Sequence, residues 1–239
     1  MITVRYAPEL LARFPTIRGG ILIAEGVRNG ETPAALAAAC AAEQAQVLAR
    51  VADVGFGEIP ALAAWRRVYR GFGAEPTKYR CAAEALLRRL KRFGDIPAIN
   101  LLVDLGNLVS IRYAMPVAVF DMRDLNGALT VRFARGDEHF TELGSEQAVN
   151  PLPGEVIFVD DSDQVYARRW CWRQSARSAA RADTTRIIVT LEGHHATADE
   201  EVRQGLALCS DLIQTYAGGR VLAAAVLSPE RPRLDVLPA

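Results

Sequence analysis

Apolar residues keep a helical spacing up to residue 94, shift to short strand-like runs after residue 116, and then show each period once more. An amphipathic piece over residues 8–14 leads to the compact run Ile21-Leu22-Ile23-Ala24, which predicts a buried strand. Asn29-Gly30 marks a turn, and Thr32-Pro33 predicts an N-cap with proline in the first turn of an Ala-rich helix reaching about Val51. Residues 59–72 predict a second helix. A third begins near Tyr79, with Ala82, Leu86, Leu87 and Leu90 at helical spacing and Gly94 as its terminator.

The stretch 96–134 joins the two regimes. At about 100° per residue, Asn100, Asp104, Asn107 and Ile111 fall in one narrow sector, while Leu101, Leu102, Leu105, Leu108 and Val109 cover most of the rest. A helix that is apolar nearly all round is buried. Its polar stripe must therefore meet partners or face a cavity, because an unpaired buried amide or carboxylate is costly. Neighbouring backbone would satisfy Asn100 and Asp104 equally well, whereas Asn107, nearer the end that Pro116 closes, is the better candidate for a pocket.

Past Met115-Pro116, two strand-like runs at 117–121 and 128–133 flank Asn126-Gly127, a strong hairpin signal. Further strands are predicted at 155–160, 165–172 and 186–191. Asp160, Asp161 and Asp163 form a polar turn lacking the glycine and distal glutamate of a calcium loop. Thr197-Ala198-Asp199-Glu200 has the form of a capping box opening a helix that ends at Gly218-Gly219. Residues 221–227 make a last strand, and 228–239 an irregular tail. The expected organisation is one α+β unit over 1–239: a mainly helical N-terminal layer (1–94), a core (95–227) and the tail.

Composition removes several classes of function. The 28 basic and 28 acidic residues cancel, which argues against a histone-like binder driven by charge alone but leaves room for a local basic patch. Four scattered cysteines without a C-x-x-C pair or a leader fit reduced thiols of a cytoplasmic protein. No apolar run is long enough to span a membrane, and neither a metal nor a cofactor is implied. The densest positive charge lies on the second and third helices: Arg66, Arg67, Arg70, Arg88 and Arg89, with Lys78, Arg80, Lys91 and Arg92. It is either a solvated helix face or a surface for phosphates, which arginine binds in bidentate geometry. If residues 168–174 form a strand, Arg168, Trp170, Trp172 and Gln174 share one face and Arg169, Cys171 and Arg173 the other. Tryptophans beside arginines can stack a base or an aromatic amino acid, or simply pack a core.

Asn100, Val103, Asp104 and Asn107, then Met115-Pro116, Phe120-Asp121, Leu125, Gly127, Val131-Arg132, Ala134 and Glu138 together resemble the B3/B4 domain of the phenylalanyl-tRNA synthetase β subunit, over residues 97–192. The resemblance implies a β-sandwich of unusual topology ringed by helices, and a role in editing mischarged tRNA, with the tRNA 3′ acceptor end as partner. It places Glu192 in an editing pocket, where the family's glutamate contacts the phenolic hydroxyl of a wrongly attached tyrosine. Asn107 would share that pocket, walled by Trp170, Trp172, Arg173 and Gln174, while Arg66, Arg67, Arg70, Arg88, Arg89, Arg168 and Arg169 would hold RNA. Two departures stand out. Ala118 replaces the family's histidine two residues before Phe-Asp, and bulky residues replace its glycine-rich segment at 168–174. A trans-acting hydrolase of mischarged aminoacyl-tRNA, a non-catalytic RNA-binding module and an amino-acid sensor that has lost RNA all fit this pattern.

Overall fold

A computed structural model of the chain describes residues 1–145 and 147–237. The chain opens with β1 (Ile2–Tyr6), a short helix α1 (Pro8–Arg13) and β2 (Arg18–Glu25). Helices α2 (Ala34–Val51), α3 (Pro60–Gly71) and α4 (Ala82–Phe93) occupy the stretch with helical spacing. Helix α4 stops at Gly94, whose φ of 80° is a left-handed conformation that glycine adopts without a Cβ clash. Helix α5 (Leu101–Tyr113) leads into β3 (Val117–Asp121) and β4 (Ala128–Phe133). Short strands β5 (Phe140–Thr141) and β6 (Ala148–Val149) precede β7 (Val156–Val159), β8 (Val165–Arg168) and β9 (Arg173–Gln174). Then come β10 (Arg186–Gly193), α6 (Ala198–Leu212) with a π-helical turn Ile213–Ala217, β11 (Arg220–Leu227) and β12 (Arg233–Val236).

Two sheets result, of order β12-β1-β4-β7-β8-β9 and β11-β2-β10-β3, beside the small ribbon β5-β6. The sheets face one another: Phe120 of β3 packs its ring 5.3 Å from Phe158 of β7 and 5.8 Å from Tyr166 of β8. Helices α5 and α6 contact the four-stranded sheet through β3, β10 and β2. One continuous core runs from Ile2 to Val236. The architecture is α+β, a two-sheet sandwich with helices around it and no closed barrel among the described residues.

Several expectations are corrected. The first 25 residues are not part of an outer helical layer: β2 runs through the four-stranded sheet, paired with β10 from Glu25↔Arg186 to Arg18↔Gly193. The tail is not wholly irregular, since β12 pairs with β1 (Ile2↔Val236); residues 238–239 lie outside the described residues. Strands β3 and β4 do not form a hairpin but join different sheets. The Asn126-Gly127 turn is kept for another reason: Asp160 accepts from the Asn126 amide (3.1 Å) and Asp161 from that of Ala128 (2.9 Å), so distant carboxylates hold a corner between sheets. The Thr32 and Thr197 hydroxyls cap no helix; the first donates to Asp104 and the second to Glu201 (2.7 Å).

Candidate functional site

Glu192 stands at the end of β10, opposite Gly19 of β2. Any side chain at position 19 would overlap the Tyr6 hydroxyl, so this glycine lets the phenol of β1 reach the carboxylate from the other sheet. Glu192 Oε1 accepts from Tyr6 Oη and from Trp170 Nε1 (2.9 Å), while its backbone carbonyl accepts from Trp65 Nε1 (3.2 Å). Its side chain is closed off from solvent; the residue is 1% exposed. Burial pushes the carboxyl up to about 7, outweighing the two hydrogen bonds that favour the ionised form. The same burial, with the acid beside it, holds the Tyr6 phenol well above its ordinary value.

The hollow beside Glu192 measures about 70 Å³, with Ala118, Thr190, Trp172 and Gln174 in its wall. At roughly 30 Å³ per water, that is room for about two waters, far short of an aromatic amino acid. Trp170 fills the rest, its ring 5.5 Å from Phe14 and 5.2 Å from both Trp65 and His194. His194 is a neutral member of this cluster, pushed down to about 3 chiefly by burial, with Nδ1 3.2 Å from the Thr16 hydroxyl.

The expected alternation at 168–174 fails because the backbone turns left-handed at Arg169 (φ 44°) and Trp170 (φ 61°), carrying both side chains inward. Arg168 and Arg169 are therefore unavailable for phosphates. Both pair with Glu155 (2.7 and 2.8 Å), with side chains only 12% and 9% exposed, and the Arg169 guanidinium lies 4.0 Å over the Tyr79 ring. Gln174 donates to the Val119 and Ser178 carbonyls, both at 2.9 Å. Trp172 packs edge-on to Tyr79 at 5.1 Å, and exposed Arg173 lies over Trp172 at 5.1 Å.

Asn107 does not share the Glu192 hollow. One step along α5, Gly106 faces β3, where an added Cβ would lie 3.3 Å from Val119 and 3.5 Å from Val117. The roughly 100° rotation per residue then turns Asn107 toward α2, into a separate hollow of about 260 Å³ with Asp104 and Ile111. Asn100 and Asp104 take structural roles. Asn100 Oδ1 caps α5 by accepting from the Val103 amide (3.0 Å), and Asp104 accepts from Thr32 and the Ile99 amide (3.0 Å).

The basic face of α3 and α4 forms two adjoining depressions, about 540 and 490 Å³, that share Arg80 and Arg88. Arg66 and Arg70 line the first; Arg89, Lys91 and Arg92 line the second. A single buried acid organises them: Glu84 accepts from Arg66 (2.7 and 2.9 Å) and Arg88 (2.8 Å), with Arg80 at 3.9 Å. These contacts hold its carboxyl below the usual range despite burial. Guanidiniums lie over aromatic rings at the shelf edge, Arg88 on Phe56 (4.9 Å) and both Arg89 (5.1 Å) and Arg92 (4.9 Å) on exposed Phe93. Arg67 is exposed on α3 but lines neither depression.

Tyr6 carries no local signal in the sequence, whereas the i,i+4 spacing of Glu84 to Arg88 is visible there. His195 lies beside Glu201 (Nε2 to Oε2 3.0 Å), at the edge of a 560 Å³ cleft between the ends of α2, α5 and the start of α6.

The chain is 30% identical over 99 residues to the phenylalanine–tRNA ligase β subunit of Photorhabdus laumondii, a match covering 41% of this chain and 12% of that one. Against the corresponding subunit of Xylella fastidiosa it is 32% identical over 144 residues, 55% of this chain and 17% of the relative. The matches thus span under a fifth of these relatives' length. An N-terminal fragment of the phenylalanyl-tRNA synthetase β subunit from Pyrococcus horikoshii aligns over 92% of this chain and 50% of that one, at 13% identity and a TM-score of 0.48. The family model for the B3/4 domain matches residues 64–218, more than half of the 239 residues. The chain belongs to the B3/4 domain family.

Proposed function

We propose that this protein is a tRNA-binding module of the cytoplasm whose α3–α4 face holds the phosphate backbone. The observation that carries this reading is the cationic shelf itself. In a chain of zero net charge, Arg66, Arg80 and Arg88 are gathered on one buried carboxylate, and Arg70, Arg89, Lys91 and Arg92 line the depressions around them. Guanidiniums fixed in place bind phosphate oxygens with little further loss of side-chain freedom. Aromatic rings under several of them add a stacking surface of the kind single-stranded RNA uses. The relatives' names supply the class of RNA, since they are tRNA ligase subunits.

A second reading, hydrolysis of mischarged aminoacyl-tRNA at its 3′ acceptor end, draws support from Glu192. A buried carboxyl near 7 exchanges its proton at neutral pH, as a general acid–base group must. In that reading Glu192 selects the amino acid after Trp170 withdraws, with Trp172, Arg173 and Gln174 as the wall. Against it stand the 70 Å³ hollow and Ala118 within it. Gel shift with tRNA and deacylation of mischarged tRNA, run on one preparation, separate the two. A shift without deacylation selects the binding module. Deacylation lost on Glu192→Ala selects the hydrolase. Neither activity refutes both, and stabilisation by free aromatic amino acids alone would point to a sensor.

A further inference from the structure

We propose that the hollow between α2 and α5 takes the base of an adenosine, held edge-on by Asn107. This rests on the tRNA-binding reading and assigns a second, base-holding site to it. The buried polar groups that line the hollow are spoken for, and the exposed Asp95 carboxylate stands 3.7 Å from Arg89. Asp104 accepts from Thr32 and from the Ile99 amide (3.0 and 3.2 Å). Gln44 is locked on the Ile96 backbone, accepting from its amide (2.9 Å) and donating to its carbonyl (3.2 Å). The Cys40 thiol lies 3.8 Å from the Asp104 carbonyl, and burial keeps it protonated. The half-buried Asn107 carboxamide makes no hydrogen bond with any described residue, yet it lines the cavity.

The occupant's chemistry follows from that wall. Ile96, Pro97, Leu108 and Ile111 supply flat apolar contact, and no lysine or arginine lines the hollow, so a phosphate or carboxylate has no counter-charge there. The volume, about 260 Å³, falls just under the ~300 Å³ at which drug-sized pockets begin. A neutral ring with one donor–acceptor edge fits. A carboxamide pairs with adenine through the N6 amino group and the adjacent ring nitrogen. Guanine would bury additional polar atoms against aliphatic carbon, with nothing to pair them. Position agrees as well. The segment that covers the hollow begins at Asp95, two residues beyond Phe93 and 3.7 Å from Arg89 of the cationic shelf. Phosphates can thus remain on Arg89 and Arg92 while a base turns into the hollow.

The test is calorimetric titration of the full chain with adenosine, guanosine and uridine, alongside a tRNA gel shift. Adenosine should bind measurably more tightly than the other two. Asn107→Leu, which keeps the volume but removes the amide, should weaken it about tenfold or more. Ala41→Leu, which fills the hollow from the exposed side of α2, should abolish binding without touching Asn107. Equal affinity for all three nucleosides, or full affinity in both variants, overturns the proposal. A tRNA shift without adenosine binding overturns this inference and spares the tRNA reading. Adenosine binding without a tRNA shift supports the hollow as a site for the free nucleoside and counts against the tRNA reading.

Discussion

Replacing Glu192 with glutamine should remove a specific pH dependence from the stability of the fold. Tyr6 and Trp170 both donate to Oε1, so an amide oxygen in that place can accept from both, and Glu192→Gln keeps the local hydrogen bonds while removing the ionisable group. In the folded protein the carboxyl is pushed from 4.5 up to about 7. The folded state holds this proton more tightly than the unfolded chain. Its contribution therefore favours folding at low pH and is lost as pH rises from 4.5 through 7. Each tenfold difference in proton affinity between the two states is worth about 1.36 kcal/mol, so the loss between pH 5 and pH 8 is about 2–3 kcal/mol. His194 works in the opposite sense: pushed down to about 3, it contributes stability above its ordinary value of 6.5 and loses it as pH falls. Its effect is common to wild type and variant, so subtracting the two stabilities at each pH cancels it. Urea unfolding at pH 5, 6, 7 and 8 is the assay. The variant should gain on wild type by about 2–3 kcal/mol across that range. Parallel curves, or a variant that loses ground as pH rises, would refute the argument that burial sets this carboxyl's proton affinity.

Two further perturbations follow from the same contacts. Glu84→Gln removes the negative charge shared by Arg66, Arg80 and Arg88, which should cost about 1–3 kcal/mol in urea unfolding, less than a fully buried pair because the arginines are partly exposed. It should also free the guanidiniums that Glu84 holds in place and so weaken RNA binding; unchanged binding by a folded variant would count against their being positioned for phosphate. Ala114, at the C-terminus of α5, has φ 52°, so Ala114→Gly relieves left-handed strain and should raise the unfolding free energy measured in urea by about 0.5–1 kcal/mol after the lost methyl is deducted.

Helices α2 to α6 were legible because their signal is local: apolar residues recur every third or fourth position over 12 to 18 residues. Strands β1 and β12 were not, since their pairing joins Ile2 to Val236 and neither short run identifies its partner. The Asn126-Gly127 turn was read correctly as a turn and wrongly as a hairpin, because Asp160 and Asp161, which hold it, come from elsewhere in the sequence. Several residues that carry the family resemblance are anchors of backbone. Asn100 caps a helix, Asp121 accepts from the Arg123 amide (2.8 Å), and Glu138 is held down to about 2 by backbone amides of Arg135 and Gly136 together with Arg132. Glu192 was recognisable as an acid ending a strand, but the phenol that occupies it comes from residue 6, and no spacing rule connects the two.

The shelf is tested most directly by the salt dependence of tRNA affinity, measured by fluorescence anisotropy for wild type and for the combined reversal Arg70→Glu, Arg89→Glu, Arg92→Glu. If about four phosphates are engaged, the logarithm of affinity should fall with the logarithm of salt at a slope near −3 to −4, a loss of roughly a hundredfold between 50 and 200 mM. The reversal should abolish binding while leaving the unfolding transition in place, since these three side chains lie on the surface. A folded triple variant that binds tRNA with wild-type affinity and slope would contradict the assignment.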